Sequence, residues 1–210
     1  MTIEFNGYHV PNRIARYMIM TLQDLMGENG LNAVLKRGGL PNYQQICPPD
    51  TMDNAFEFAT YSAICAAVAD TYGPRGAKVF MIRAGKAGFR NGIQSFIDHY
   101  GAGLEATGKL VPLSIKLPLF LKWIAKNYTE TSDRIVAIKD NGDHYLYINK
   151  HCPVCWGRTV STPDCHITLG FLQEATAFIS NGSQFQIRQI TSIGAGDLSC
   201  DFIIPKRPIE

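Results

Sequence analysis

Arg134 to His151 reads RIVAIKDNGDHYLYINKH. Two short runs rich in β-branched and aromatic residues flank Asn141-Gly142, a dipeptide suited to a tight hairpin turn. The spacing predicts an antiparallel pair with both turn residues at positive φ. Everything before this stretch follows a helical period, and the hairpin marks the change. Ile14, Tyr17, Met18, Leu22, Leu25 and Met26 recur at helical spacing until GENG, and LNAVLKR gives a short helix stopped by two glycines. TMDNAFEFATYSAICAAVADTYG is apolar nearly all round and predicts a central helix. PRGAKVFMIRAGKAGFRNGIQSFIDHYGAG predicts a helix, a glycine break and a second helix, and SIKLPLFLKWIAKNY one more, entered or broken at Pro118. GKAGFRNG fails the pattern of a phosphate-binding loop and follows no strand.

Beyond the hairpin, DCHITLGFLQEATAFISNG predicts a helix with Ile167, Phe171, Ala175 and Phe178 on one face and Asp164 as its N-cap. SQFQIRQITSIGAGDLSCDFIIPK predicts two strands around a glycine turn. Helices, hairpin, helix, hairpin is the order of an α+β fold with an antiparallel sheet packed against helices. One domain over 1–210 is expected, with a helical half at 1–130 and a thiol-rich sheet half at 131–210.

Composition narrows the function. The 210 residues are 46% hydrophobic and 18% charged, with a net charge of +2. That near neutrality gives no reason to expect nucleic acid as a partner. No secretory leader and no uncharged apolar run of about 18 residues is visible. The expectation is a cytoplasmic protein without a membrane span, in a compartment that keeps thiols reduced.

Six cysteines in such a compartment favour metal binding or burial over disulfides. Cys65 and Cys47 read as structural. Cys152 and Cys155 form a CxxC directly after the second hairpin strand, Cys165 opens a helix and Cys200 opens the last strand. Neighbouring elements of one small sheet can gather all four around a zinc ion with bonds of about 2.3 Å. Four thiolates close such a site, which makes it structural. A redox pair fits poorly, because WGRTVSTP does not continue as a helix. An iron–sulfur cluster would take the same four ligands and ranks below zinc, and plain buried cysteines complete the alternatives. His151 and His166 lie nearby, with hydrogen bonding as their expected role. The five histidines follow no HExxH pattern, and no GxGxxG fingerprint is present.

CHITLGFLQEATAFISNG followed by QITSIGAGDLSCDFII resembles the 4-vinyl reductase domain through Cys165, Gly170, Gly196, Asp197, Cys200 and Phe202. GENGLNAVLKRGGLPNY and GKAGFRNG are loosely similar to what precedes that signature in hydrocarbon-binding relatives. The resemblance implies a fold similar to the ligand-binding domain shared with TRAPP subunits, often a homodimer. In phenol-sensing members zinc is held by three cysteines and a glutamate. Cys165 and Cys200 match two of these, while Gln189 and Ser192 stand at the other two positions, so Cys152 and Cys155 would take their place. The implied functions are binding of a small hydrophobic molecule, aromatic or tetrapyrrole-like, by a sensor or carrier, or a part in vinyl-group reduction of (bacterio)chlorophyll precursors. The absence of any electron-donor motif favours a binding protein over an enzyme. Phe120 and Trp123, three apart on one helix, and Trp156 after the CxxC are the candidate ligand-binding residues.

Overall fold

The computed structural model describes residues 7–100 and 111–209, with side chains up to residue 93 in the first stretch. It is an α+β fold. Strands β1 (His9–Pro11) and β2 (Asn54–Glu57) pair antiparallel. Each leads straight into a long helix, α1 (Asn12–Arg37) or α3 (Phe58–Tyr100), and α2 (Tyr43–Ile46) lies between. Helix α4 (Leu113–Thr131) then leads to the hairpin β3 (Val136–Asp140) and β4 (His144–Asn149). Helix α5 (His166–Ile179), β5 (Arg188–Gln189) and β6 (Cys200–Pro205) follow. The second sheet runs β3-β4-β6-β5, antiparallel throughout.

Local chemistry explains the differences from the sequence reading. Gly27 (φ 73°) breaks α1 and Gly73 (φ 68°) breaks α3, each in a backbone region that favours glycine. The break in α3 thus falls before Pro74, whereas GKAGFRNG stays helical. Pro118 is carried inside α4. Within TMDNAFEF, Asn54–Glu57 is strand rather than helix, because the backbone there pairs with β1. At the hairpin tip only Gly142 has positive φ (88°), so the turn is not the two-residue form expected for Asn-Gly. Asp140 accepts from the Gly142 amide at 2.9 Å and holds a longer loop.

The helical layer depends on one close crossing. A Cβ on Gly170 of α5 would collide with the Ile82 carbonyl of α3, and a Cβ on Gly85 would collide with the Ile167 carbonyl. The glycines let the two backbones touch, each at the cost of roughly 1 kcal/mol of helix propensity against alanine. On the sheet, register aligns one buried face: Tyr145 opposite Ile204, Tyr147 opposite Phe202 and Asn149 opposite Cys200. Period-two alternation therefore delivers Cys200 to the inner face at the end of β4, three residues before Cys152.

Candidate functional site: a four-thiol cluster and an apolar chamber

The cluster follows from that register. Cys200 begins β6, Cys165 immediately precedes α5, and Cys152 and Cys155 lie on the loop leaving β4. All four are fully buried. Their sulfurs lie within 4.8 Å of one another, at 3.7 Å for Cys152–Cys165, 3.6 Å for Cys165–Cys200 and 3.2 Å for Cys155–Cys200. A tetrahedron of sulfurs about 2.3 Å from a central ion has edges of about 3.8 Å. The group can hold a metal ion.

The loop is folded back over the sheet end by specific bonds. Ser62 donates to the Val154 carbonyl at 3.2 Å, and the Val160 amide donates to the Gly194 carbonyl at 2.8 Å. Arg158 bonds the Val154 carbonyl and forms an ion pair with Asp164. Asp164 is thus engaged by Arg158 and is not the N-cap expected of it; Cys165 occupies that position. Gln189 accepts from the Cys165 amide at 2.9 Å, and Ser192 Oγ lies 4.0 Å from Cys200 Sγ. Hydrogen bonds from Cys152, Cys165 and Cys200 pull the Cys155 thiol far down, while bonds to the neighbouring thiols push Cys152 and Cys165 up. Four sulfurs this close cannot all shed their protons unless a cation neutralises them.

Neither nearby histidine joins the group. His151 Nδ1 lies 3.0 Å from the Asp133 carbonyl and its ring packs on Tyr8 at 4.7 Å. His166 is held below its ordinary pKa by burial. His99 lies outside the described side chains. Cys47 and Cys65 stand apart, and burial pushes Cys65 up to about 12.

The second feature is a chamber of about 380 Å³ walled by α1, α3, α4 and α5. Trp123, Phe89 and Phe171 form apolar walls, with Tyr17, Asn127 and Tyr128 as polar points. Gly88 and Gly92, one turn apart on α3, face open space, with no atom within 4 Å of where a Cβ would stand. The glycines read as a helix break are instead missing side chains that leave volume. Trp123 lines the chamber, and Phe120 stacks behind it at 5.7 Å and 14°. Trp156 lies elsewhere, edge-on to Tyr8 at 4.9 Å and to Phe58 at 5.6 Å.

Comparison with solved structures decides which fold this is. An Fe(II) unliganded H-NOX protein from K. algicida is similar with a TM-score of 0.60 at 10% identity, covering 95% of this chain and 97% of that one. A mutant of that protein gives 0.59 at 13% identity, covering 93% and 95%. The fold is that of H-NOX domains. A mutant H-NOX from T. tengcongensis agrees, at a TM-score of 0.56 and 13% identity, covering 95% of this chain and 100% of that one. No family model matches the chain, and no curated protein sequence does.

The resemblance to the 4-vinyl reductase domain is therefore corrected: the structural neighbours are H-NOX proteins. The residues that carried it have local explanations. Gly170 serves the helix crossing, and Gly196 has φ of 98°. Asp197 accepts from the Ser192 amide at 2.8 Å, and Phe202 is core. Packing requirements of the fold account for them, and they do not define a family.

Proposed function

We propose that this protein binds a small apolar, aromatic molecule in the chamber, as a sensor or carrier domain, and that the four thiols hold a structural zinc ion apart from it. The chamber carries the reading. It has the size and the mostly apolar walls of a small-molecule site, and two glycines of α3 leave it open. The H-NOX fold, known here in proteins described with Fe(II), is compatible with a sensor role.

An iron group in the chamber fits the lining poorly. Iron bound to such a group takes a histidine, cysteine, methionine or tyrosine from the protein. Among the described residues lining the chamber there is no histidine or cysteine; the candidates are Met52, which is 48% exposed, and the phenols of Tyr17 and Tyr128. Tyr128 is pushed up to about 12 by burial, opposed in part by Arg134, and a neutral phenol is a weak ligand. We read the occupant as an organic molecule, with metal confined to the thiols. Four thiolates would leave zinc no open position, so its part is to fasten the loop, α5 and β6 together.

The test uses Trp156→Phe protein, in which Trp123 is the sole tryptophan, titrated with neutral 2-naphthamide. Saturable quenching or a shift of emission is expected, with the response lost in Gly92→Leu. A probe response that persists with the chamber filled would refute the assignment.

A further inference from the structure

Residues 74–93 hold five of the chain's 20 basic residues and none of its 18 acidic ones. The net charge of +2 therefore hides a division: this stretch is strongly positive, and the remainder of the chain is net negative. The stretch is the part of α3 beyond the Gly73 break. At 3.6 residues per turn, Arg75, Val79, Arg83, Lys86 and Arg90 fall within about 80° of one another around the axis, with Lys78 at the margin. Arg75, Lys78, Val79, Arg83 and Arg90 are exposed, and Lys86 is half-buried. Ala77, Met81 and Ala84 give the opposite face to the core.

A solvated helix face ordinarily interleaves both signs, because opposite charges three or four residues apart support the helix. Here like charges stand at those spacings: Lys86 faces Arg83 on one side and Arg90 on the other. Such pairs repel and weaken the helix that carries them. Among the described residues only Arg90 of this row meets a carboxylate, Glu174 at 3.6 Å. Arg75, Lys78, Arg83 and Lys86 have no ionic partner among them. The row is a single file of side chains about 22 Å long.

We propose that this face of α3 docks an acidic helical segment of a partner protein, whose carboxylates lie along Arg75, Arg83, Lys86 and Arg90. The proposal stands apart from the chamber's occupant and does not depend on it. Charge complementarity carries it: a row of cations without acids of its own is completed by a row of acids. Three of the four cations are arginines, whose planar forks suit carboxylates. Steps of three and four residues are those at which one helix lies along another. Val79, 53% exposed within the row, offers such a helix one apolar contact. A nucleic acid or an anionic bilayer is a poorer match. Each presents a broad field of phosphates, which a single file meets along one line only and which the net negative remainder of the chain repels.

Fluorescence anisotropy of the full chain with two labelled, stapled alanine-based helices tests it. One carries glutamates along a single face at steps of three and four, and the other carries the same number scattered around the helix. The one-faced helix is expected to bind at least about tenfold more tightly at low salt, the ratio that a few exposed ion pairs together support. The preference should vanish near 1 M salt, where charges are screened beyond about 3 Å. Arg75→Glu with Arg83→Glu should abolish it at an unchanged melting temperature, because both side chains are exposed. Lys139→Glu with Lys150→Glu makes the same change of net charge at exposed positions outside α3 and should leave the preference intact. Equal binding of the two helices, or binding of neither, would overturn the inference. So would an equal loss in the two double variants, which would make net charge the cause. Tighter binding of duplex DNA or of phosphatidylserine vesicles than of the one-faced helix would overturn it in favour of phosphates. None of these outcomes bears on the chamber reading.

Discussion

At the sheet end, four cysteines converge until their sulfurs nearly touch, and the loop 150–165 is drawn over them by bonds from α3 and from the turn before β6. At the helix end, Gly88 and Gly92 withhold side chains where the packing elsewhere would place them, and about 380 Å³ stays open. The same residue type acts in opposite senses along α3. Gly85 admits another backbone, whereas one and two turns later glycine admits nothing from the chain itself. Close contact fixes the thiol site, and the space left by two glycines makes room for a ligand.

The contrast breaks most visibly if the metal is removed. Cys152→Ser with Cys155→Ser, or chelation of the wild type, should cost on the order of 5 kcal/mol and lower the melting temperature by about 10–20 °C, since binding to the folded state alone stabilises it. Calorimetry checks this, and unchanged melting would make the cluster dispensable. Next, Gly170→Ala should cost about 3 kcal/mol or more, because the colliding atom is the Ile82 backbone and cannot rotate away. Chemical denaturation of this variant beside Gly92→Ala separates glycine for contact from glycine for space.

Alkali probes the packed core of α3. Cys65 sits near 12 in the folded protein against an ordinary value of about 9, because burial disfavours its thiolate. Its raised folded pKa means that its contribution is complete below pH 9 and is lost as pH rises from 9 toward 12. By pH 10.5 the loss is about 2 kcal/mol. Denaturation curves at pH 8 and 10.5 should converge in Cys65→Ala relative to wild type. The smallest effect sits at the open end: Gly92→Ala should stabilise by up to about 1 kcal/mol through helix propensity, and Gly92→Leu should retain the fold while filling the chamber.

Much of the fold was readable because its signals are local. The helical period of α1, the change to β-rich runs at Arg134–His151 and the CxxC after β4 each sit within a few residues. The cluster was legible because a CxxC and two further thiols all stand at element boundaries. Strands β1 and β2 were not, since three or four residues carry no alternation and only their mutual pairing makes them strands. The chamber was half seen: Trp123 was marked by composition, but glycine in a helix reads as punctuation until the structure shows no atom facing it. Trp156 was misplaced because adjacency to the CxxC suggested a shared site, while the loop turns its ring toward Tyr8 and Phe58. Arg134, buried against the Tyr128 ring, gave no signal, because a cation at the head of a strand looks solvated and burial is a property of the whole fold.

Native mass spectrometry of the intact protein tests most directly the claim that metal and ligand occupy separate sites. One zinc ion per chain is predicted, retained in Gly92→Leu and lost from the Cys152→Ser, Cys155→Ser protein. Iron in place of zinc, or an iron-bearing organic group that disappears when Gly92→Leu fills the chamber, would contradict it.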